Sequence, residues 1–503
     1  MDLFKNHILS FLVFLPLTGG LSLAFISEQK KSLIKIISLS SSVLTLLISL
    51  YVMCGFTPDA SLQFQEKAMW IPSLGISYFL ALDGLSLALV LLTTFMSPLV
   101  ILYAFSQEKS LKAFMMLLLA LETAMLGTFL ALDLVLFYVF WEAMLIPMYF
   151  LIGIWGGNNK LYATVKFLLY TILGSFFMLV ALIAVVMMYH KQNGIYTTDL
   201  LSLYGLKFGK YELWLFLGFA LAFLIKVPLF PFHTWLPDAH VEAPTEGSVI
   251  LAAVLLKMGV YGLIRFALPL FPNAVILCAP TIITLALIGI IYGAFLAWAQ
   301  EDLKKLVAYS SVSHLGYAVL GLFALNHEGV TGSLIQLVSH GLATGSLFFI
   351  VGMIYTRTHT KKLSELGGLA ETCPKLLFCF LIATLASIGL PLTSGFVGEF
   401  LSLFGAFQAF VARNIFFATA GILGVLLGAI YMLNMFQKVM FGKPKFQNIK
   451  DLTTKEMVVL LPLLILIIII GVYPKILTNK IGNSIDHFVR NIYTYSLNVK
   501  RTL

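Results

Sequence analysis

Long apolar runs recur along the whole sequence, and they constrain the fold more than any other feature. Many reach 18 residues or more, which is enough to cross a hydrocarbon core of about 30 Å as an α-helix. Runs such as residues 460–471 are apolar on every face, whereas the strands of a membrane barrel alternate apolar and polar residues. Of the 503 residues, 60% are hydrophobic and 11% are charged. We therefore expect an all-α integral membrane protein without strands.

The apolar runs between polar breaks predict about fourteen transmembrane helices. They lie near residues 7–25, 33–53, 78–105, 111–131, 134–155, 163–189, 211–240, 246–270, 274–298, 305–325, 332–356, 374–410, 413–440 and 456–474. We divide the chain into four parts: predicted helices 1–3 at residues 1–110, a five-helix unit at 111–271, a second such unit at 272–440, and helix 14 with the C-terminal tail at 441–503.

Lysine and arginine are distributed unevenly between the two faces of the predicted bundle. The loops after predicted helices 1, 3, 5, 9, 11 and 13 hold most of them. The other face has fewer, namely Lys5, Lys67, Lys191, Lys207, Lys210, Arg265, Arg413 and those of the C-terminal tail. Because cytoplasmic loops collect basic residues, we place both termini outside, across what we expect to be a bacterial plasma membrane. The formal net charge of +9 then reflects topology, and no nucleic-acid partner is expected.

Several ionisable side chains fall inside the apolar runs. A lysine at the centre of a lone helix costs about 2.5–3.5 kcal/mol on insertion scales, so something must offset it. The six side chains of interest are Glu142, Lys226, Lys257, His314, His340 and Glu399. Carboxylates, amines and imidazoles hold or release a proton when a neighbouring charge or their hydration changes. The set therefore predicts a proton path through the membrane.

A structural role is the alternative for each of these residues. One Glu–Lys pair can simply pin two helices together, and a neutral imidazole can bond to a nearby serine or carbonyl group. Serine, threonine and asparagine link helices at lower cost, so a set of this size favours transport over a membrane scaffold. Glu122 lies close enough to a helix end for its carboxylate to reach the surface, and Asp133 is expected at the membrane interface.

Prolines interrupt two of the predicted helices. Pro228 and Pro231 follow Lys226 in helix 7, and Pro391 breaks helix 12. Proline leaves backbone carbonyls free, and hydrocarbon tolerates such groups only where protein or water satisfies them. Paired breaks of this kind in the two halves of a chain point to a transport site.

The spacing of charges suggests an internal repeat. Glu142 precedes Lys226 by almost the same number of residues as His314 precedes Glu399. Five helices separate the equivalent positions, and an odd number of spans reverses orientation. We therefore expect two inverted five-helix repeats, with the broken helices 7 and 12 in corresponding halves.

One stretch resembles a known family. The sequence KVPLFPFHTWLPDAHVEAPT at residues 226–245, followed by GSVILAAVLLKMG at 247–259, is similar to the antiporter-like subunits of respiratory complex I, the NADH-quinone oxidoreductase. Within that family, ALDLVLFYVFWE at 131–142, SSVSHLGY at 310–317 and GFVGEF at 395–400 resemble the M-type subunit, which is subunit 4 in mitochondria. The resemblance covers essentially the whole chain.

The resemblance implies a role for each buried charge. Glu142 and Lys226 would form a modulating pair, in which the carboxylate sets how tightly the lysine holds its proton. Lys257 and His314 would carry the proton through the middle of the membrane, with His340 lining the same path. Glu399 would load or release the proton near the exit.

The resemblance also implies partners. The neighbours would be the L-type and N-type antiporter-like subunits of the membrane arm. We expect no cofactor in this chain, with NADH, FMN, iron–sulfur clusters and quinone handled by partner subunits. The four cysteines form no C-x-x-C pair, and no glycine-rich dinucleotide fingerprint is present.

Related transporters remain as alternatives. The L-type paralogue normally has a lysine where Glu399 stands and carries a long lateral helix. Subunits of multi-subunit sodium or potassium/proton antiporters share the pattern of Glu142 and Lys226, and such a protein could use the hydroxyls of Thr393 and Ser394 as cation ligands. Membrane-bound hydrogenase modules are also similar.

Overall fold

The computed structural model describes residues 6–409, 415–446 and 449–500. Lys5 and Arg413, which entered the charge distribution above, lie outside the described residues. The described chain is mostly helical, as predicted. Eleven of its helices are long and apolar enough to cross a membrane, and two shorter apolar helices accompany them. The count of fourteen spans and the inverted repeat stay predictions.

Within the described residues, the first half of the chain contains one hairpin and thirteen α-helical segments. They are α1 (Ile8–Ala24), α2 (Lys31–Gly55), β1 (Gln63–Ile71), β2 (Ile76–Leu82), α3 (Gly84–Tyr103), α4 (Leu111–Leu130), α5 (Leu134–Ala143), α6 (Leu145–Trp155), α7 (Lys160–Asn193), α8 (Leu200–Leu203), α9 (Glu212–Lys226), α10 (Trp235–Glu242), α11 (Thr245–Ile250), α12 (Lys257–Gly262) and α13 (Leu268–Leu270).

In the described part of the second half there are nine α-helices. They are α14 (Pro272–Trp298), α15 (Leu303–Phe323), α16 (His327–Thr358), α17 (Leu369–Thr372), α18 (Pro374–Ile388), α19 (Ser394–Gln408), α20 (Ile415–Met440), α21 (Thr454–Val472) and α22 (Lys475–Lys500). Short 3-10 turns occupy Pro72–Leu74, Ala104–Ser106 and Gly209–Tyr211. Extensive packing joins α14 to α15 and α16 to α19, and α16 is buried along most of its length.

The expectation of no strands was wrong. Strands β1 and β2 pair antiparallel, and the predicted third helix therefore starts at Gly84 instead of near residue 78. The argument against a barrel concerned spanning segments, whereas β1 is a largely exposed strand outside the apolar runs. Asp133 caps α5, and its other carboxylate oxygen accepts hydrogen bonds from Ser77 and Thr198. The carboxylate thus ties the hairpin to the helical bundle, and Asp133 is fully buried.

Both predicted breaks are present. Between α9 and α10, the indole of Trp235 donates to the Ile225 carbonyl at 3.0 Å, so a carbonyl at the broken end is satisfied. Between α18 and α19, Thr393 Oγ1 donates to the Leu390 carbonyl at 2.7 Å. Gly389 ends α18 with a φ of +76°, a conformation that favours glycine. Side chains of the protein therefore donate hydrogen bonds to backbone carbonyls at both breaks.

The helix predicted at residues 246–270 is not a regular α-helix. Two π-helical segments, Leu251–Leu255 and Leu263–Ala267, flank the short helix α12, which begins at Lys257. Single π-helical turns occur often at functional sites, because they shift backbone carbonyls out of the regular hydrogen-bond pattern. Every residue of these segments is buried, so the irregular backbone is enclosed by protein.

The residues after α21 form a further helix, which the sequence analysis left unassigned. Helix α22 packs against α3, α14 and α16. Its Ser484 hydroxyl accepts a hydrogen bond from the Gly84 amide at 3.1 Å, and Asp486 lies 2.7 Å from His327. The helix thus connects the start of α3 with the start of α16.

Candidate functional site

Lys257 and His340 form the centre of the buried ionisable groups. The Lys257 ammonium lies 2.6 Å from Nδ1 of His340 and also contacts the carbonyl oxygen of Ala252, in the preceding π-helical segment. Lys257 is fully buried. The π-helical turn therefore supplies a carbonyl ligand for a charge that would otherwise face hydrocarbon.

His314 and Glu399 form the second pair. Nδ1 of His314, on α15, lies 2.8 Å from Oε1 of Glu399, on α19. Gln336 donates to the same carboxylate oxygen at 3.1 Å, and the other imidazole nitrogen lies 3.3 Å from the hydroxyls of both Ser387 and Tyr431. Both members of the pair are almost fully buried, and each ring nitrogen of His314 has a polar neighbour.

The two pairs are adjacent. The ring centroids of His314 and His340 lie 6.2 Å apart. Nε2 of His340 is buried and has no hydrogen-bond partner among the described residues. A small cavity touches both imidazoles, Glu399 and the hydroxyl-bearing residues Ser339 and Ser387. Its interior has about 10 Å³ for the centre of a water molecule, which is room for about one water. Four of the six predicted residues therefore form two hydrogen-bonded pairs whose imidazoles adjoin the same small cavity.

Glu142 and Lys226 lie apart from these two pairs. The Lys226 ammonium sits at the end of α9, 5.4 Å from the ring centroid of Trp141 and 5.8 Å from that of Phe167. Cations over aromatic faces are stabilised by the ring quadrupole, most strongly where water is excluded. Glu142 acts on Lys226 electrostatically, although the described residues contain no direct ion pair between them. One Glu142 carboxylate oxygen is buried without a hydrogen-bond partner in the described chain.

Close helix packing separates Lys226 from Lys257. Helix α9 rests directly on α12, where a Cβ at Gly259 would lie 2.6 Å from the carbonyl oxygen of Phe223. A Cβ at Gly262 would likewise lie 2.3 Å from the Phe223 ring. The glycines allow the two backbones to approach, and no hydrogen bond between the two lysines is found within the described ranges. The structure thus brings both lysine-bearing helices together without joining their ammonium groups.

Arg265 was counted with the basic residues of one face of the bundle, but its side chain is buried. It lies in the second π-helical segment, where its guanidinium meets the Asp83 carboxylate at 2.5 Å and its Nε donates to the Tyr261 hydroxyl at 3.1 Å. The Arg265 and Asp83 side chains are 8% and 7% exposed. The pair joins α3 to the helix that carries Lys257. The apolar residues around Arg265 are the sequence signal that could have revealed its burial.

Lys304, His240 and Glu246 form a further buried set that the sequence analysis did not assign. Lys304 donates to the Ala243 carbonyl at 2.5 Å. His240 stacks on Phe348 with ring centroids 4.5 Å apart, and neither of its ring nitrogens has a hydrogen-bond partner among the described residues. His240 interacts electrostatically with both Lys304 and Lys257. The sequence analysis counted Lys304 with the loop after predicted helix 9, because predicted helix 10 begins at residue 305, whereas α15 begins at Leu303.

Glu122 also differs from expectation. Its side chain does not reach the surface, since the residue is 1% exposed. One carboxylate oxygen lies 3.4 Å from the Ser42 hydroxyl, and the other has no hydrogen-bond partner in the described chain. It lies among α2, α3 and α4, away from the line of Lys257 and Glu399.

The helical fold, its broken spans and the buried line of lysine, histidine and glutamate define a multi-pass membrane protein of the antiporter-like class. The family model described as NADH:quinone oxidoreductase/Mrp antiporter, TM, matches residues 131–428. The chain belongs to this family.

Individual relatives match over nearly their full length. NADH-quinone oxidoreductase subunit M of Rhodobacter capsulatus is 44% identical, with 97% of each chain covered. NADH-ubiquinone oxidoreductase chain 4 of Marchantia polymorpha is 42% identical, with 96% of this chain and 97% of the relative covered. Among solved structures, a chain of respiratory complex I from Thermus thermophilus with bound NADH superposes with a TM-score of 0.88 at 33% identity, covering 96% of this chain and 99% of that one.

Proposed function

We propose that this chain moves protons across the membrane as the M-type antiporter-like subunit of a respiratory NADH-quinone oxidoreductase. One observation carries the proposal. Lys257, His340, His314 and Glu399 come from four different helices and form a buried line of two adjacent hydrogen-bonded pairs. The relatives named above are designated subunit M or chain 4, and they match this chain over nearly its whole length.

The dimensions of this line suit a proton better than a larger ion. Its neighbouring groups are at hydrogen-bonding distances of 2.6 and 2.8 Å, and the space between the imidazoles has room for about one water. A proton can pass along such hydrogen bonds by exchange of partners. A sodium ion instead needs several oxygen ligands at once. Ser394 and Thr393, the hydroxyls suggested for that purpose, already contact Ser339 and the Leu390 carbonyl.

We propose that the path opens to one surface through His240 and Lys304. A surface cavity of about 270 Å³ is lined by Glu242, Lys304 and Lys361. His240 lies on α10 two residues before Glu242 of the cavity wall, and it stacks on Phe348 of α16, the helix that carries His340. This position supports its placement between the cavity and the central line. Its two free ring nitrogens can accept and pass a proton once water reaches them.

Glu399 would be the group at the opposite end. It lies beside the break between α18 and α19, where a Cβ on Gly389 would be 2.9 Å from its Oε2. Leu392 within that break is exposed. Irregular backbone at membrane depth occurs where it lines a cavity or is buried in protein. The carboxylate is thus positioned to exchange its proton when the break admits water.

The separated pair of Glu142 and Lys226 would control this path. Bringing the carboxylate closer strengthens the hold of the lysine on its proton, and withdrawing it weakens that hold. The aromatic faces around Lys226 stabilise the ammonium without a direct ion pair. This arrangement supports a pair whose interaction can change in strength.

We further propose that redox chemistry takes place in partner subunits, which would hold NADH, FMN, iron–sulfur clusters and quinone. Within the described ranges, no three histidine, cysteine or acidic residues form a candidate metal cluster. Large apolar side chains are exposed along α7, for example Leu169, Leu173 and Phe176. They suit lipid or the expected L-type and N-type neighbours. The charge bias supports both termini outside, and we propose a bacterial plasma membrane as the location.

Lys257→Met tests the proposal, because methionine keeps the volume and removes the proton carrier. We expect the complex to assemble and its proton translocation per electron to fall, measured as quinone-dependent acidification in sealed vesicles. Lys109→Met, at an exposed loop position, is the matched control. Unchanged proton translocation in the assembled Lys257→Met complex would rule out the central line, and loss only in sodium-containing medium would favour the antiporter alternative.

A further inference from the structure

Two adjoining surface cavities meet at the end of α20. The first, of about 390 Å³, lies against Gln300, Glu301, Leu363, Ser364, Leu366 and Gly367, and the second, of about 500 Å³, follows α20 itself. Lys438, Phe441 and Gly442 line both cavities. The two cavities therefore form one groove, which we call the α20 groove.

The first of the two cavities forms the upper part of the α20 groove, and this part is basic. Lys438, Lys443 and Lys445 line it and are exposed. Lys445 donates to the Ser364 carbonyl at 2.5 Å, which holds its ammonium at the cavity wall. Among the described lining residues, Glu301 is the carboxylate. Glu365 adjoins the lining but is paired with Lys362 at 3.1 Å. Three ammonium groups against Glu301 therefore leave this part with a net positive charge that suits a phosphate group.

The second cavity forms the lower part of the α20 groove, which becomes apolar along the membrane-spanning helix α20. Ile430 and Leu433 line it and are 38% and 45% exposed, with Asn434 and Gln437 beside them. Helix α20 is long and apolar enough to span the membrane. The groove thus runs from a basic cluster at the helix end along an apolar helix face, which matches a molecule with an anionic head and a hydrocarbon chain.

We propose that the α20 groove binds an anionic phospholipid, with its phosphate among Lys438, Lys443 and Lys445 and one acyl chain along Ile430 and Leu433. Basic pockets between transmembrane helices on the cytoplasmic side recognise anionic head groups. The groove lies on the face that carries most of the basic loop residues. A free phosphate would leave the apolar half unused, and a zwitterionic lipid would not need the lysines.

The test uses the intact complex in detergent, labelled with a photoactivatable phosphatidylglycerol and mapped by mass spectrometry. We expect labelling within residues 430–445, with half-saturation rising at least tenfold in the triple variant Lys438→Gln, Lys443→Gln, Lys445→Gln, because each lysine contributes roughly a fivefold factor. The control variant is Lys30→Gln, Lys31→Gln, Lys109→Gln, which removes the same charge from exposed positions on the same face, in two loops and at the start of α2. Its half-saturation should match the wild type.

Competition experiments distinguish the possible occupants. Unlabelled phosphatidylglycerol should displace the probe, whereas phosphatidylcholine and the soluble head group glycerophosphoglycerol should not. Leu433→Glu, at an exposed position, should weaken labelling while keeping all three lysines. Equal labelling of the two triple variants, or equal competition by phosphatidylcholine, would overturn the proposal in favour of non-specific boundary lipid. Displacement by the soluble head group alone, or no labelling in the intact complex, would also overturn it.

Discussion

Replacing Asp83 by Asn removes the charge that faces Arg265 and leaves most other contacts in place. The Asp83 carboxylate meets the guanidinium at 2.5 Å and also caps α3 by accepting from the amides of Leu85 and Ser86. Asparagine caps helices about as well as aspartate. The substitution therefore isolates the loss of one buried charge.

The expected cost follows from the burial of the pair. Both side chains are less than one-tenth exposed, and removing one member of such a pair leaves an uncompensated charge at about 3–5 kcal/mol. A chain of 503 residues has an unfolding entropy of about 1 kcal/mol/K, at roughly 2 cal/mol/K per residue. The apparent melting temperature should therefore fall by about 3–5 °C in Asp83→Asn.

The assay is a heating series of the detergent-solubilised complex, followed by size-exclusion chromatography. All variants are heated at one rate, because unfolding of such complexes is irreversible and scan-dependent. The matched control is Asp83→Asn combined with Arg265→Met, which removes both charges and fills similar volume. Since apolar replacement of a buried pair is often neutral, the double variant should melt above the single one.

Two results would refute this reasoning. A single variant that melts within about 1 °C of the wild type would show that water or another group already compensates Arg265. A double variant that melts below the single one would show that the pair is not the source of the cost. In either case the account of how α3 is held to the π-helical segment would need replacement.

Two further predictions concern the central line and the packing around it. Glu399→Gln keeps an oxygen that can accept a hydrogen bond from His314, but the amide cannot carry a proton. We therefore expect normal assembly and fewer protons translocated per electron in the vesicle assay. Unchanged pumping would exclude Glu399 from the path. Gly332→Ala would place its Cβ about 2.3 Å from the Ser402 amide nitrogen, between α16 and α19. We expect it to destabilise the folded chain by about 1–3 kcal/mol, seen as a lower melting temperature in the heating series. The control Gly428→Ala, whose Cβ would have no atom within 4 Å, should melt with the wild type.

Much of the architecture was accessible from local patterns. Apolar runs predict helices because hydrocarbon requires every backbone group to be satisfied within the segment. Pro228 and Pro391 reveal the breaks since proline cannot continue the hydrogen-bond ladder. Lys226 and Lys257 stand out because a charge in an apolar run is costly. Each of these signals depends only on neighbouring residues in the chain.

The contacts between buried groups could not be predicted from such patterns. His340 lies 83 residues from Lys257, and Glu399 lies 85 residues from His314. The first pair forms because α16 packs against the π-helical segment, and the second because α15 packs against α19. The π-helical turns themselves leave no local signal, since leucine and alanine are compatible with a regular α-helix.

Residues near the ends of apolar runs were the least predictable. Arg265 was counted with the basic residues of one face because hydropathy does not show which charged side chains near a helix end are buried. Its partner Asp83 lies 182 residues away. The burial of Lys304 was missed as well. It depends on the carbonyl of Ala243, which lies at the end of a different helix.

The most direct test of the central claim is quinone-dependent proton pumping by the assembled complex in sealed membrane vesicles. The wild type is compared with Glu142→Gln and Lys226→Ala after assembly has been verified by native gel. The account predicts that protons per electron fall steeply in both variants while the complex stays intact. If both variants assemble and pump as many protons per electron as the wild type, the pair is structural and the proposed control of the path is contradicted.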